Sequence, residues 1–369
     1  MLPAPVRNSN LDEPADTDAP VIAAIIYLPS VSMILRRPDE DDVALTGFGT
    51  TFRIRIAASL MVGLVAGWLC AIKATTGTDF EFFWRATRLF ATGINPYAMR
   101  PGSSGWSLPD AFFYPAPALI VVWPLHPLVL PVAAGIFMGV GSGLLAWFLS
   151  RDGLWRLWML GTPSFIMAVA IGQWSPLITL GALTSGGAFL LACKPTLGLA
   201  CFTYRPGWRA AIGVAAVLVF SLVLLPEWPR EWLDNLKLVE RHPLPIATPL
   251  GWLVLLALMR WRQPEARLLI GMACVPQLLF FADQLPLGLV ARTRGEAVGL
   301  AICGVIAFAT WWAFLKAGDA YVMEAQPFVM AGIYLPALVM VLHRPNVGIM
   351  PQFVEKTLMS VRTNFRRGA

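Results

Sequence analysis

The sequence predicts an all-α polytopic membrane protein, and its composition and its long apolar runs are the observations behind that prediction. Of its 369 residues, 57% are hydrophobic and only 14% are charged, whereas soluble domains contain about 25% charged residues. Several apolar runs approach or exceed the roughly 18 residues that a membrane-spanning helix needs. They include residues 56–72, 132–149, 210–225, 297–315 and 327–342. Gly-Gln, Lys-Pro and Asp-Gln pairs interrupt other apolar runs, so we expect about ten transmembrane helices, some of them broken or re-entrant.

The basic residues predict the topology and the domain limits. They cluster between apolar runs and in the C-terminal tail, at Arg53, Arg55, Arg205, Arg209, Arg260, Arg262, Arg267 and 344–369. The positive-inside rule places such segments in the cytoplasm, so both termini are expected there. The net charge of +6 therefore indicates contact with membrane lipids, not a nucleic-acid partner. We expect a cytoplasmic or interfacial N-terminal extension (1–52), a transmembrane domain (53–343) and a basic cytoplasmic tail (344–369).

The segment after the first apolar run has the pattern of an amphipathic helix with a carboxylate at its start. Thr78-x-x-Glu81 is a capping-box sequence, and Gly93 suits the position after a helix end. A helix over 79–92 would have an apolar face and a polar face, the latter with an i,i+4 pair of Glu81 and Arg85. This pattern is typical of a helix in the membrane interface. Asp79 would either complement the helix dipole or act as a base on the outer face.

Other polar positions within apolar surroundings have two interpretations each. Gln173 follows Gly172 in what is either a loop turn or a site, and Lys194 before a proline either has a function or extends its charge to the interface. Asp283 is a second carboxylate in a buried-looking segment, and Arg292 and Arg294 beyond it suit a cytoplasmic basic loop. Tyr97 and Tyr114 suit interfacial aromatics. The sequence has no Walker loop, GxGxxG unit, HExxH motif or zinc-ligand spacing, so no cofactor and no metal are expected.

An ordered set of motifs resembles glycosyltransferase family 87, the polyprenol-phosphate-mannose-dependent α-mannosyltransferases of the GT-C membrane fold. The set consists of Asp79, Phe83-Trp84-Arg85-Ala86, Gly93-x-Asn95-Pro96-Tyr97, Tyr114-Pro115-x-Pro117, Gly172-Gln173 and Lys194-Pro195. It covers about residues 54–226. The resemblance implies a GT-C-type fold with an outer-face amphipathic helix after the first span. It also implies an integral protein of the bacterial inner membrane.

The resemblance implies a reaction as well. A hexose, with mannose expected first, would pass from a polyprenyl-phosphate donor to a glycan or glycolipid acceptor on the outer face, with inversion and with Asp79 as the base. Lys194, Arg292 or Arg294 would bind the donor phosphate, and Gln173, Asn95, Tyr97 and Tyr114 would orient sugar hydroxyls. The predicted substrate-binding set is Trp84, Arg85, Asn95, Tyr97, Tyr114, Gln173, Lys194, Asp283 and Arg292.

Two other classes of protein remain compatible with the sequence. A transporter or lipid flippase would use Lys194 and Asp283 as buried ionisable groups, and it would move substrate without transferring a sugar. A non-catalytic subunit of a membrane complex would need Asp79 only as a helix cap, and it would tolerate alanine at that position.

Overall fold

The computed structural model describes residues 38–238, 242–317 and 325–347, without the side chains of 38–50, 76 and 317. The chain divides into two units, Met1–Ile54 and Arg55–Ala369. The first unit and the predicted tail fall largely outside the described residues. The described residues form helices and connecting turns, with no strand among them. The all-helical prediction is therefore confirmed.

The α-helices are numbered here in chain order. They are α1 (Pro38–Lys73), α2 (Phe80–Ala91), α3 (Ala116–Val122), α4 (Leu130–Leu149), α5 (Pro163–Ile171), α6 (Ser175–Leu183), α7 (Pro195–Tyr204), α8 (Trp208–Leu224), α9 (Trp228–Leu236), α10 (Pro264–Cys274), α11 (Arg294–Ala317), α12 (Gln326–Val329) and α13 (Leu335–Leu342). Longer 3₁₀ helices cover Leu154–Gly161, Ala188–Cys193, Gly251–Arg260 and Phe281–Val290, and a π-helical turn, Met330–Tyr334, joins α12 to α13.

Three helical stretches in the described part of the chain are long and apolar enough to cross a membrane. They are Thr51–Lys73, Leu130–Asp152 and Arg294–Lys316. Two bent pairs raise the count to five if each pair is one span: Leu154–Gly161 with Pro163–Ile171, bent by 61°, and Trp208–Leu224 with Trp228–Leu236, bent by 98°. Several apolar helices can therefore span a membrane, and ten crossings stay a prediction.

Helices α1 and α4 run antiparallel in close contact, and this pair sets the frame of the second unit. An added Cβ on Gly67 would lie 2.7 Å from the Gly135 carbonyl oxygen, and one on Gly63 would lie 2.9 Å from that of Gly139. Small residues every four positions let two membrane helices approach this closely. Arg55 at one end donates to the carbonyl of Trp147 at 3.2 Å.

Ion pairs collect at that Arg55 end of the unit, which we call the basic face. Arg292 forms a two-bond pair with Glu265, and Arg344 pairs with Glu296 at 2.6 Å. Arg267 donates to the Thr203 carbonyl at 3.0 Å, which ties α10 to α7. The basic segments that the sequence separates widely therefore meet at one end of the helices.

Candidate active site

Four polar side chains from separate segments meet beside the start of α2. Gln173 donates from Nε2 to Oδ2 of Asp79. Lys194 donates from Nζ to Oε1 of Gln173 at 3.1 Å and to Oδ1 of Asp283 at 2.6 Å. Asp79, Gln173, Lys194 and Asp283 thus form one connected network, which we call the Asp79 cluster. All four were predicted as site residues from the sequence.

The C-terminal end of α5 presents Gln173 to Asp79. Gly172 has a left-handed backbone (φ 69°), and the Gln173 amide donates to the Ala168 carbonyl at 2.8 Å, which closes the helix end as in a Schellman motif. An added Cβ on Gly172 would lie 2.8 Å from Cβ of Phe80. The Asp79 amide also donates to the Ile171 carbonyl at 2.8 Å. Gly172-Gln173 is therefore a helix C-cap, and it fixes the Gln173 side chain beside Asp79.

A helical hairpin positions Lys194. Helix α6 leaves from Gln173, and the 3₁₀ helix Ala188–Cys193 returns to Lys194, so the hydrogen bond between Gln173 and Lys194 closes the base of the hairpin. At 1.5 Å per residue the nine residues of α6 reach only about 13 Å, which is less than half of a bilayer core. Gly198 lets α7 follow tightly, because an added Cβ there would lie 1.9 Å from the Leu191 carbonyl oxygen.

Asp283 lies on a buried 3₁₀ helix that follows α10 along the chain. Ser175 at the start of α6 donates to the carbonyl of Ala282, the residue before Asp283. Behind Asp283, Gln284 donates to Oε1 of Gln277 at 3.1 Å, and Gln277 donates to the Tyr334 hydroxyl oxygen at 3.1 Å. The second carboxylate therefore sits on a rigid, hydrogen-bonded support.

The cluster lies within the length of the α1–α4 pair and nearer the end away from the basic face. Phe137 on α4 contacts Phe80 and Trp174, with ring centroids 4.9 and 5.0 Å apart. Phe137 is about 10 Å along the helix from Leu130 and about 18 Å from Leu149, at 1.5 Å per residue. Charged groups at this depth need partners within the protein.

The cluster contains two carboxylates and one ammonium group, and this sets its electrostatics. Lys194 and Asp283 keep 15% and 8% of their side-chain surface exposed. Burial raises the pKa of the Asp79 carboxyl above its usual value, the Lys194 ammonium opposes that shift, and the Asp283 carboxylate adds to it. A raised pKa makes Asp79 a stronger base once it is ionised. Burial also raises the pKa of the Tyr114 phenol well above its usual value, so Tyr114 remains neutral and able to donate a hydrogen bond.

Helix α2 confirms its predicted amphipathic pattern but differs in two details. Its buried side chains are Phe80, Phe83, Ala86 and Thr87, and Arg85 donates to Glu81 at 2.7 Å as predicted. The predicted capping box is wrong: the helix begins after Asp79, and the Thr78 hydroxyl forms no hydrogen bond within the described residues. The apolar face also packs on protein, with the Phe83 ring 4.2 Å from Tyr114, so it does not face the lipid interface.

Helix α9 supports the loop that carries Asn95, Tyr97 and Tyr114. Asn95 donates to both carboxylate oxygens of Glu231 at 2.7 and 2.9 Å. Asn235 donates to the carbonyls of Tyr97 and Phe112 at 3.1 and 2.9 Å. The Tyr97 hydroxyl donates to the Tyr114 carbonyl at 2.9 Å. Asn95 and Tyr97 thus hold Tyr114 in place, and α9 holds them.

Three predicted site residues lie outside the Asp79 cluster and bond to other parts of the protein. Trp84 donates to the Leu128 carbonyl at 3.0 Å, and Arg85 pairs with Glu81 on the half-exposed side of α2. Arg292 is bound to Glu265 at the basic face, which agrees with the alternative interpretation of a basic loop. Conversely, we did not predict roles for Glu231, Asn235, Ser175 or Tyr334. The i,i+4 spacing of Glu231 and Asn235 could have predicted that both lie on one face of a helix. Ser175 and Tyr334 act through long-range contacts, which the sequence does not show.

Comparison of the chain with family models, with curated proteins and with solved structures gave no match.

Proposed function

We propose that the chain is a membrane glycosyltransferase of the GT-C type, with Asp79 as its catalytic base. The observation that supports the proposal is the convergence of Asp79, Gln173 and Lys194, three residues of the motif set that resembles family 87. In the proposed topology about ten helices cross a bacterial inner membrane. The basic face and both termini are cytoplasmic, and the Asp79 cluster opens toward the outer leaflet.

In the proposed reaction a hexose moves from polyprenyl phosphate to a hydroxyl group of a glycan or glycolipid. Asp79 takes the hydroxyl proton while the acceptor oxygen bonds to the anomeric carbon. The bond from that carbon to the phosphate oxygen breaks, and its electron pair leaves with the phosphate. Attack from the opposite side inverts the anomeric centre. The leaving phosphate needs little acid catalysis, so one carboxylate is enough, whereas a glycosidase uses two. Mannose as the sugar rests on the resemblance alone.

The test is a transfer assay in lipid nanodiscs with polyprenyl-phosphate-mannose and a glycolipid extract. We compare wild type with Asp79→Asn, which keeps the shape of the side chain and can still accept from Gln173. Glu81→Gln is the matched control, because Glu81 lies two residues away and pairs with Arg85, outside the cluster. We expect Asp79→Asn to lose transfer and Glu81→Gln to keep it. Full transfer by a correctly inserted Asp79→Asn protein would refute the base assignment.

A transporter or flippase is the second candidate, because the Lys194–Asp283 ion pair is buried in a protein with several apolar helices. Such groups are typical of ion and substrate pathways. Proteoliposomes distinguish the two functions: substrate flux without sugar transfer would favour the transporter. If Asp79→Ala preserved every measured activity of a larger membrane complex, a non-catalytic subunit would be favoured.

A further inference from the structure

Three dipeptides at the turns of the basic face each join an aromatic residue to an arginine. They are Tyr204-Arg205, Trp208-Arg209 and Trp261-Arg262. The first two flank the short turn between α7 and α8, and the third follows the 3₁₀ helix Gly251–Arg260. In each dipeptide the guanidinium lies over the preceding ring, 5.4, 5.5 and 5.8 Å from its centre in that order. Such contacts hold the charged end of an arginine against the protein.

A fourth arginine brings these turns together. Arg267 on α10 donates from Nη2 to the Tyr204 carbonyl at 3.3 Å. It donates from Nη1 to the carbonyls of Trp261 and Arg262 at 3.3 and 2.8 Å. Because one guanidinium bonds both turns, two segments that are distant in the sequence are neighbours at the surface. We call Arg205, Arg209 and Arg262 the arginine patch.

The arginine patch is exposed and has no counterion within the protein as described. None of its three side chains forms an ion pair or a hydrogen bond among residues 38–238, 242–317 and 325–347, and all three residues are exposed. A guanidinium has five N–H donors in a planar fork, so the patch can bind an external anion. The acids of this face among the same residues pair with other arginines: Glu265 with Arg292, Glu296 with Arg344 and Asp152 with Arg156.

Exposed apolar side chains adjoin the patch and indicate which kind of anion it fits. Trp208 is 69% exposed, and Ile212, four residues later on α8, is exposed on the same side of the helix. Met259, just before the third dipeptide, is 60% exposed. A free inorganic anion would gain nothing from these side chains, whereas a phospholipid joins an anionic headgroup to acyl chains. Tryptophan and arginine at the ends of membrane helices also lie at headgroup level.

We propose that the arginine patch binds the headgroup of an anionic phospholipid. The phosphate accepts charge-assisted hydrogen bonds from Arg205 and Arg262, Arg209 adds a third positive charge, and the acyl chains lie against Ile212 and Met259. This is narrower than a general attraction of basic segments to the membrane, because it assigns the lipid to the turns that Arg267 joins. It does not depend on the transferase activity.

Native mass spectrometry of the full-length protein in an uncharged detergent tests the site. The protein is titrated with phosphatidylglycerol, with phosphatidylcholine and with inorganic phosphate, and the bound molecules are counted at each concentration. The test variant is Arg205→Gln with Arg262→Gln. The matched control is Arg151→Gln with Arg294→Gln, which removes the same charge from two exposed arginines of the basic face. These two also lack an ion pair and a side-chain hydrogen bond in the described part of the chain.

We expect wild type to bind phosphatidylglycerol at least tenfold more tightly than phosphatidylcholine or inorganic phosphate. The test variant should lose at least tenfold in affinity for phosphatidylglycerol, because each arginine near an anionic lipid contributes about fivefold. The control should stay within about twofold of wild type.

Three results would overturn the proposal, and two of them need no substitution. Equal binding of the two lipids would mean that the headgroup charge is not recognised. Equally tight binding of inorganic phosphate would mean that the ligand is a free anion. An equal loss in both double variants would mean that the whole basic face attracts lipids diffusely, without a site at the arginine patch.

Discussion

The charges of the Asp79 cluster predict an asymmetric response to neutralising each partner of its buried ion pair. Lys194 is the one cation for two carboxylates, and it bonds Asp283 at 2.6 Å. Lys194→Met leaves both carboxylates buried without a counterion, and removing one partner of a buried pair costs about 3–5 kcal/mol. Asp283→Asn leaves Lys194 facing Asp79, so the cluster becomes neutral and the amide oxygen can still accept from the ammonium. We expect Asp283→Asn to lower the free energy of unfolding by less than about 1 kcal/mol.

Thermal unfolding in detergent, followed by tryptophan fluorescence, measures the difference. With about 1.5 °C per kcal/mol for a unit of this size, Lys194→Met should lower Tm by about 5–8 °C and Asp283→Asn by less than about 2 °C. Lys237→Met is the matched control, because Lys237 bonds Asp234 at 2.7 Å but is exposed, and exposed pairs contribute little. A loss from Asp283→Asn as large as that from Lys194→Met would refute the charge-balance reasoning.

The remaining predictions concern the supports of the site and its pH dependence. Gly198→Ala should destabilise by about 3 kcal/mol and abolish function, because the new methyl group would overlap the Leu191 carbonyl; its Tm and its elution from a sizing column test this. Gly67→Val should separate α1 from α4, seen as lower Tm with more aggregation. Asn235→Ala should lower stability by about 2–3 kcal/mol by freeing two carbonyls, measured as a drop in Tm. If Asp79 is the base, kcat/KM should fall as the pH is lowered through its raised pKa, so the acid limb should lie above the usual range of an aspartate. The raised pKa means that ionised Asp79 opposes folding at neutral pH, so Asp79→Asn should raise Tm there, and this gain should vanish below the usual pKa of an aspartate.

The sequence predicted helices and polar anchors better than it predicted helix starts, and the span count stays a prediction. Apolar run length identified α1, α4 and α11, because a span that crosses the membrane alone needs a long continuous run. The shorter runs were ambiguous, because helices such as α6 and α7 are stabilised by burial among other helices, which composition does not encode. The capping box failed at Thr78 for a related reason. The Asp79 amide bonds to the end of α5, and this long-range contact decides where α2 begins.

The sequence showed which residues of the site are unusual for their surroundings, but it did not show which of them bond to one another. A lysine or an aspartate within an apolar run is unusual enough to be recognised in one sequence. That Lys194 bonds Asp283, 89 residues away, follows only from the fold. Arg292 shows the reverse case: its charge suited a phosphate, but Glu265, buried at the start of α10, binds it first.

The Lys194–Asp283 bond also constrains how a phosphate could bind. An anionic donor that approaches Lys194 must compete with a carboxylate already held at 2.6 Å, and the cluster has one more negative than positive charge. Under the transferase proposal, Asp283 would therefore compete with the donor phosphate for Lys194, and the donor would have to displace it to gain a charge-assisted bond. Under the transferase proposal, Asp283→Asn should then lower KM for the polyprenyl-phosphate sugar while Asp79 still removes the acceptor proton. A higher KM in that variant would mean that Asp283 itself binds the substrate, and the phosphate would have to be held by groups other than Lys194.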